Sequence, residues 1–361
     1  MPVHLRPCHA AARLGEEIAC YYNRKRAVVD FANVGLFISQ LCWLTVQIMG
    51  GSAVLGVVTG LPREVCTVLA GLITALISIP GGLKTVVYTD FLQAGILVCG
   101  FGLLLREALV ESQGLAGLEQ GMPEAYHSLV GGAGMGPGFV AGLILALVLG
   151  VVADPSRRLT MFSANSERSA KVGMVVGGLV VMGFSFAVGV VGMYTYRLNP
   201  NLASPDQAVP WLVMNVLPPW LAGLIVVSIA SAIFSSANGN AAAAGTFYVR
   251  HIYPLVMGRF PEQPIRMLRR ALAVAFVIAT GLAFYPGSIV EFVIRFLPVT
   301  MSGLAVVILL GRFWPRATWQ GALAALIAAP TVSITLMLLP KQLGLLGDPG
   351  ILAAAASCLA H

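Results

Sequence analysis

The sequence predicts an all-α protein, a polytopic bundle of membrane-spanning helices, and three observations carry that prediction. Apolar residues make up 58% of the 361 residues and charged residues 10%, with a mean hydropathy of +0.86. A soluble domain carries about 25% charge and about 45–50% apolar residues, so a polar coat for a globule of this size is lacking. The apolar residues gather in runs near the ~20 residues that a helix needs to cross a bilayer. When those runs are threaded alternately, Lys and Arg fall mostly on one side. This composition excludes an ordinary cytosolic enzyme, a disordered chain and a nucleic-acid reader.

The elements follow in order. Residues 1–28 form an N-terminal segment placed in the cytoplasm; no apolar core follows Arg6 within its first 25 residues, so it does not read as a signal peptide. Nine spans then make a transmembrane domain over 29–339, at about 29–56, 65–81, 88–109, 137–153, 172–196, 218–248, 269–286, 288–311 and 317–339. Helices are the default because backbone groups in lipid must be satisfied within the segment. The connection 110–136 faces outward, carries Glu111, Glu119 and Glu124 without Lys or Arg, and holds a candidate short surface helix at 110–130. Residues 340–361 form a C-terminal tail whose apolar part is too short to span.

With the N-terminus inside, seventeen Lys and Arg residues face inward, including Arg24–Lys25–Arg26, Arg157–Arg158 and Arg266, Arg269 and Arg270. Four face outward (Arg63, Arg106, Arg197 and Lys341), and Arg295 falls inside a span. That asymmetry predicts a multi-pass protein of the cell (inner) membrane with a cytoplasmic N-terminus. It also accounts for the net charge of +7 without a polyanionic partner, so membrane lipid and not nucleic acid is the expected surrounding.

No catalytic set stands out. The six cysteines are scattered without a CxxC pair, and the five histidines lie in loops or at ends. There is no GxSxG, HExxH, P-loop or GxGxxG pattern, so an enzyme is not expected. Ionisable groups at membrane depth mark function more often. Asp30 and Asp154 sit at span edges, and Asp90 lies near the inner end of the third span. Glu291 and Arg295 are four apart on one helical face, which predicts a mutual ion pair. The sixth span places Ser231, Ser235, Ser236, Asn238 and Asn240 among small residues. Hydroxyls and carbonyls there suit a hard cation such as Na+, although small residues and serines also serve close helix packing. In the first span Gln40, Trp43 and Gln47 form one stripe, facing either a solute cavity or a neighbouring helix.

Three stretches make the chain resemble the sodium:solute symporter family, the sodium-coupled carriers of sugars, proline and pantothenate. TGLPREVCTVLAGLITALISIPGGLKTVVYTDFLQ (59–93) is similar to that family's TGLPY segment and its following GG-x-x-A-V-x-x-TD-x-x-Q signature. DPSRRLTMFSANSERSAKVG (154–173) resembles the segment after the family's second broken helix, and DQAVPWLVMNVLPPWLAGLIVVSIASAIFSSANGN (206–240) its D-x-x-x-P … A-x-x-SS segment. Order and spacing agree along roughly 15–340.

The resemblance implies a LeuT-type inverted-repeat fold in which broken helices hold solute near the midplane. It implies that this chain begins at core helix three and lacks the first two core helices, which supply the other sodium ligands and much of the solute site. By the same resemblance, sodium ligands fall on Ala232 (carbonyl), Ser235 and Ser236 (hydroxyls), and Asp90 lies on the ion path. The second broken helix falls at 137–153, preceded by GGAGMGPG (131–138). The arginine that relatives place after that helix aligns with Thr160, with Arg157 and Arg158 just before it. The implied function is sodium-coupled symport of a small organic solute, with Na+ as coupling ion and no other metal; Gln40, Trp43 and Gln47, read from their helical spacing, are the solute-site candidates. The alternative is a non-transporting membrane protein on the same scaffold: a decayed paralogue, a sensor or an assembly partner.

Overall fold

The computed structural model describes residues 14–79, 83–120, 122–123, 137–155, 164, 166–338, 355–356 and 358, and no strand occurs among them. Residues 1–13, 131–136, Arg157, Arg158, Thr160 and most of 340–361 lie outside the described residues.

A short helix, α1 (Leu14–Tyr21), precedes α2 (Arg26–Thr59). At 1.5 Å per residue the 34 residues of α2 reach about 51 Å, well beyond the ~30 Å hydrocarbon thickness. The helix stops where Gly60 takes a left-handed φ of 69° and its N–H bonds Gly56 O; glycine adopts this conformation without Cβ strain. Pro62 then opens α3 (Arg63–Ser78). α4 (Leu83–Glu111) turns into the five-residue α5 (Leu115–Glu119), inside the stretch where a surface helix is expected.

α6 (Pro137–Ala153) and α7 (Glu167–Leu198) follow. Ser166 caps α7 by accepting the Ser169 N–H at 3.1 Å, and Glu167 pairs with Lys171 at 2.7 Å. This polar first turn carries the helix five residues beyond the expected edge at 172. A tight turn, Pro205–Gln207, leads to α8 (Ala208–Val216) and the long α9 (Pro219–Phe247). A π turn over Tyr248–Ile252 continues α9 into α10 (Tyr253–Met257). α11 (Pro264–Leu282), α12 (Ile289–Phe313) and α13 (Trp319–Leu338) complete the bundle, the last two with prolines at 298 and 330 inside them. Among the described residues, five helical stretches are long and apolar enough to cross a membrane by length and composition: Arg26–Thr59, Leu92–Glu111, Glu167–Leu198, Pro219–Met257 and Ile289–Phe313.

α2 is the hub, packed on α9, α3, α12, α11, α1 and α13. Around it the larger core gathers Leu36, Leu44, Ile48, Phe292, Met301 and Leu304, all essentially inaccessible. A second core forms where α4, α5, α7 and α8 meet the start of α9, around Leu104, Leu118, Val191, Leu212 and Ile225. Lipid chains are as apolar as leucine, so between membrane helices tight packing carries the association. Gly51 shows the requirement: a Cβ there would lie 3.3 Å from the Ala70 Cβ and 3.9 Å from Ile233.

The two ends of the bundle differ in charge. At one, the Tyr22 hydroxyl donates to Val307 O at 2.7 Å, Lys25 Nζ lies 5.3 Å from the Trp319 ring centroid and Phe37 meets Tyr248. Gly311 packs on Tyr21 there, so Arg24, Lys25 and Arg26 at the start of α2 lie at the same end as Arg312 at the close of α12. The opposite end holds Arg63, Asp206 and Tyr285.

One expected contact is overturned. Glu291 and Arg295 do not pair among the described residues. Glu291 lies in the first turn of α12, with its N–H donating to the capping Ser288 hydroxyl at 3.2 Å; a carboxylate there answers the positive helix end. Arg295 instead lies 6.0 Å from the Tyr285 ring centroid, a cation–π distance.

Candidate functional site

The polar segment of α9 and the stripe of α2 belong to one antiparallel contact. Phe37 faces Tyr248, with ring centroids 6.2 Å apart, and Gly50 and Gly51 face Ile233. Between these points the buried Ala237, Ala241 and Ala244 of α9 line the joint. In helical projection Gln47 shares a face with Gly50 and Gly51, three and four residues on, and Gln40 lies seven residues before Gln47. The stripe of Gln40, Trp43 and Gln47 is therefore directed at α9.

That stripe is chemically unusual. Gln40 is fully buried, and neither its amide oxygen nor its amide nitrogen has a hydrogen-bond partner. The Trp43 indole nitrogen is buried and likewise without one. Buried polar atoms are nearly always paired, so two such side chains one turn apart mark a place where a partner belongs. Gln47 is half-buried.

Ala232, Ser235 and Ser236 sit elsewhere on α9. At 100° per residue they lie roughly 95–165° round the helix from the centre of the Ile233–Ala237–Ala241–Ala244 edge. The structure thus does not bring the α2 stripe and the hydroxyl pair together; α9 stands between them. Ala232 and Ser235 are half-buried and Ser236 is exposed. Two other hydroxyls of α9, Ser228 and Thr246, donate to their own helix at Leu224 O and Ala242 O, both at 2.8 Å. Ser236 has no hydrogen-bond partner among the described residues, so its oxygen is available to a ligand.

The side chain of Asp90 lies outside those described. Its backbone belongs to α4, which runs antiparallel to α9 with Gly100 against Ile225.

Sequence reasoning missed a clasp at the opposite end of the bundle. Both Asp206 carboxylate oxygens accept the Ile289 N–H that opens α12, at 3.0 and 3.2 Å. Arg63 Nη2 donates to Tyr285 O at 2.6 Å and sits with Asp206 around a cavity of about 60 Å³ lined also by Ser52, Thr67 and Gln207. Burial raises the Asp206 pKa above its ordinary 3.8, and the Glu291 charge adds to this; the Ile289 N–H, Arg63 and Ser204 pull it back. The aspartate begins the DQAVP motif and the arginine follows TGLP, so both were visible. Their partners are 83 and 222 residues away, which no local pattern reveals.

Among the described residues no group of three His, Cys, Asp or Glu could hold a transition metal. What α9 offers here is uncharged oxygen, the exposed Ser236 hydroxyl beside half-buried Ser235, in an apolar helix that runs unbroken over Pro219–Phe247. A multi-span helical bundle with such oxygens in one span and unpaired buried amide groups in another is an integral membrane protein of the secondary-carrier class.

The chain belongs to the sodium:solute symporter family, whose model matches residues 10–329. It is 25% identical over 340 residues to the sodium/pantothenate symporter of Escherichia coli (strain K12), covering 92% of this chain and 70% of that protein. The sodium/pantothenate symporter of Haemophilus influenzae is 23% identical, with 90% and 68% covered. The sodium/glucose cotransporter of Vibrio parahaemolyticus is 24% identical, with 83% and 61% covered. A solved structure of a Na+-coupled sialic acid symporter, substrate-bound and outward-open, superposes with a TM-score of 0.72 at 17% identity, covering 96% of this chain and 75% of that one. That likeness shows the fold to be the expected LeuT-type helical architecture. Sodium-coupled solute transport is the work of the family.

Proposed function

We propose that this chain forms a sodium-coupled carrier of a small organic solute, with nine spans and a cytoplasmic N-terminus. Sodium is held by the Ala232 carbonyl and the Ser235 and Ser236 hydroxyls, and Asp90 lies on its inward path. Gln40, Trp43 and Gln47 supply polar contacts to the solute side of α2. Sodium enters from outside and favours the outward-open state. Solute then completes the site and the bundle rocks inward, drawing about 2.3 kcal/mol per charge per 100 mV from the membrane potential. A small organic acid such as pantothenate, the solute named for two relatives, is the first to try.

The observation that carries this reading is the Ser236 hydroxyl, exposed and unbonded in a span whose other hydroxyls include back-bonded Ser228 and Thr246. The test is the thermal midpoint of the purified chain in NaCl against KCl at equal ionic strength. Sodium raises it, and Ser235→Ala with Ser236→Ala removes the difference while leaving the KCl value in place. Equal midpoints in the two salts for the native chain contradict the sodium site. In proteoliposomes, an inward sodium gradient drives uptake of labelled pantothenate. Sodium binding without uptake of any organic acid tried favours the sensor or assembly-partner reading of the scaffold.

A further inference from the structure

The turn between α10 and α11 borders an open cavity of about 200 Å³ lined by Arg259, Arg266, Arg270, Tyr253 and Gln263, with Glu262 as its one carboxylate. Arg259 is engaged by Glu262 at 3.2 Å. Arg266 and Arg270 have no carboxylate within ion-pair distance among the described residues. Four residues apart, they share one face of α11. Gln263, at the N-cap of this 19-residue helix, makes no side-chain cap, so the first-turn N–H groups are open on the same side. Two unpaired guanidinium groups beside an uncapped helix start make an anion site.

The surroundings say which anion. Continued along α11, the arginine face becomes Val274 and Val277, 58% and 73% exposed. The turn itself presents Val256, Met257, Phe260 and Ile265, each between 59% and 71% exposed. Apolar side chains interleaved with arginines fit a membrane interface, where the charged heads stay at the phosphate level and the hydrocarbon parts lie beneath. A free phosphate would use the arginines and leave the valine face unexplained. We propose that Arg266 and Arg270 hold the phosphodiester of an anionic phospholipid whose acyl chain lies along Val274 and Val277. This lipid site sits apart from the sodium and solute residues and does not depend on their assignment.

The test uses the full chain, purified and delipidated in detergent, titrated with dioleoyl phosphatidylglycerol, dioleoyl phosphatidylcholine or inorganic phosphate. Bound lipid is read by native mass spectrometry and by the thermal midpoint. Phosphatidylglycerol is retained, and phosphatidylcholine is bound at least tenfold more weakly. Arg266→Gln with Arg270→Gln weakens phosphatidylglycerol binding about ten- to thirty-fold, at roughly 1 kcal/mol per arginine near a charged surface. Arg168→Gln, an exposed arginine of α7, leaves it unchanged. Equal retention of the two lipids, or unchanged binding in the double variant, overturns the proposal. So does an equal loss in Arg168→Gln, which would mean undirected charge attraction. Displacement of phosphatidylglycerol by millimolar phosphate, with phosphate alone giving the same midpoint shift, assigns the arginines to free anion and overturns the lipid.

Discussion

Replacing Gln40 with leucine should stabilise the bundle and disable the carrier. Gln40 is fully buried, with both amide atoms unpartnered. Each such atom costs about 1–3 kcal/mol relative to a satisfied or apolar site, and leucine removes both at similar volume. Repacking a branched side chain takes back up to about 1.5 kcal/mol. The net expectation is a gain of about 2 kcal/mol. Domains of 150–250 residues move about 2–4 °C per kcal/mol, and longer ones somewhat less, so the midpoint should rise by about 3–6 °C. Cys42 and Cys66 are buried and serve as internal reporters. With the remaining cysteines changed to serine, a thiol-reactive dye followed during heating in detergent records when the core opens. A midpoint that stays level or falls refutes the reasoning, because it means that the amide is bonded in the folded protein. A raised midpoint together with lost solute uptake is the signature of a group kept polar for a ligand.

Other expectations follow from the packing and the Asp206 clasp. Gly51→Leu drives a side chain into Ala70 and Ile233, so the thermal midpoint should drop by the equivalent of about 1–3 kcal/mol; an unchanged midpoint would mean that α2 and α3 are further apart than described. Asp206 has a raised pKa, so the proton is bound more tightly in the folded state than in the unfolded one. The stabilisation from that proton is full below about pH 4 and is lost as pH rises through the raised value. Midpoints measured between pH 4 and 7 should therefore carry a downward component with rising pH that is absent in Asp206→Asn; an identical profile in both proteins contradicts this. Asp206→Ala also removes the acceptor at the start of α12, a cap of about 0.5–2 kcal/mol, and thermal unfolding should register it at pH 7.

Much of the architecture was legible because lipid imposes one rule on long apolar runs. α2 reads directly as a helix from its uninterrupted apolar sequence, and its end is announced by Gly60 and Pro62. α9 matches its expected run to within a residue at each end, because Pro219 opens it and a π turn at Tyr248 marks its close. Edges drifted where polar residues continue a helix past the apolar stretch. The Ser166 cap and Glu167–Lys171 pair extend α7 in this way, and Pro264 starts α11 five residues early. The Glu291–Arg295 spacing misled because a four-residue interval shows only that two side chains share a face; Tyr285, arriving from the preceding turn, offered the arginine a ring. Residue chemistry likewise singled out Gln40, Trp43 and the serine pair without revealing that α9 separates them, since which side of a small-residue helix meets its neighbour depends on tertiary packing. The Asp206–Ile289 contact was invisible for the same reason.

The long ninth helix is a member of both hydrophobic cores. Its first turns, at Ala222 and Ile225, are set in the smaller one, and Ala237 and Ala241 are set in the larger. It therefore acts as a beam mortised into two blocks. Between those joints Ile229 still leans on the smaller core and Ile233 already bears on Gly50 and Gly51 of α2, so a tilt of one block against the other has to be taken up in the single turn between them. Ser235 and Ser236 lie just past that turn, and in the proposed carrier an ion gripping them would brace the beam next to where it flexes.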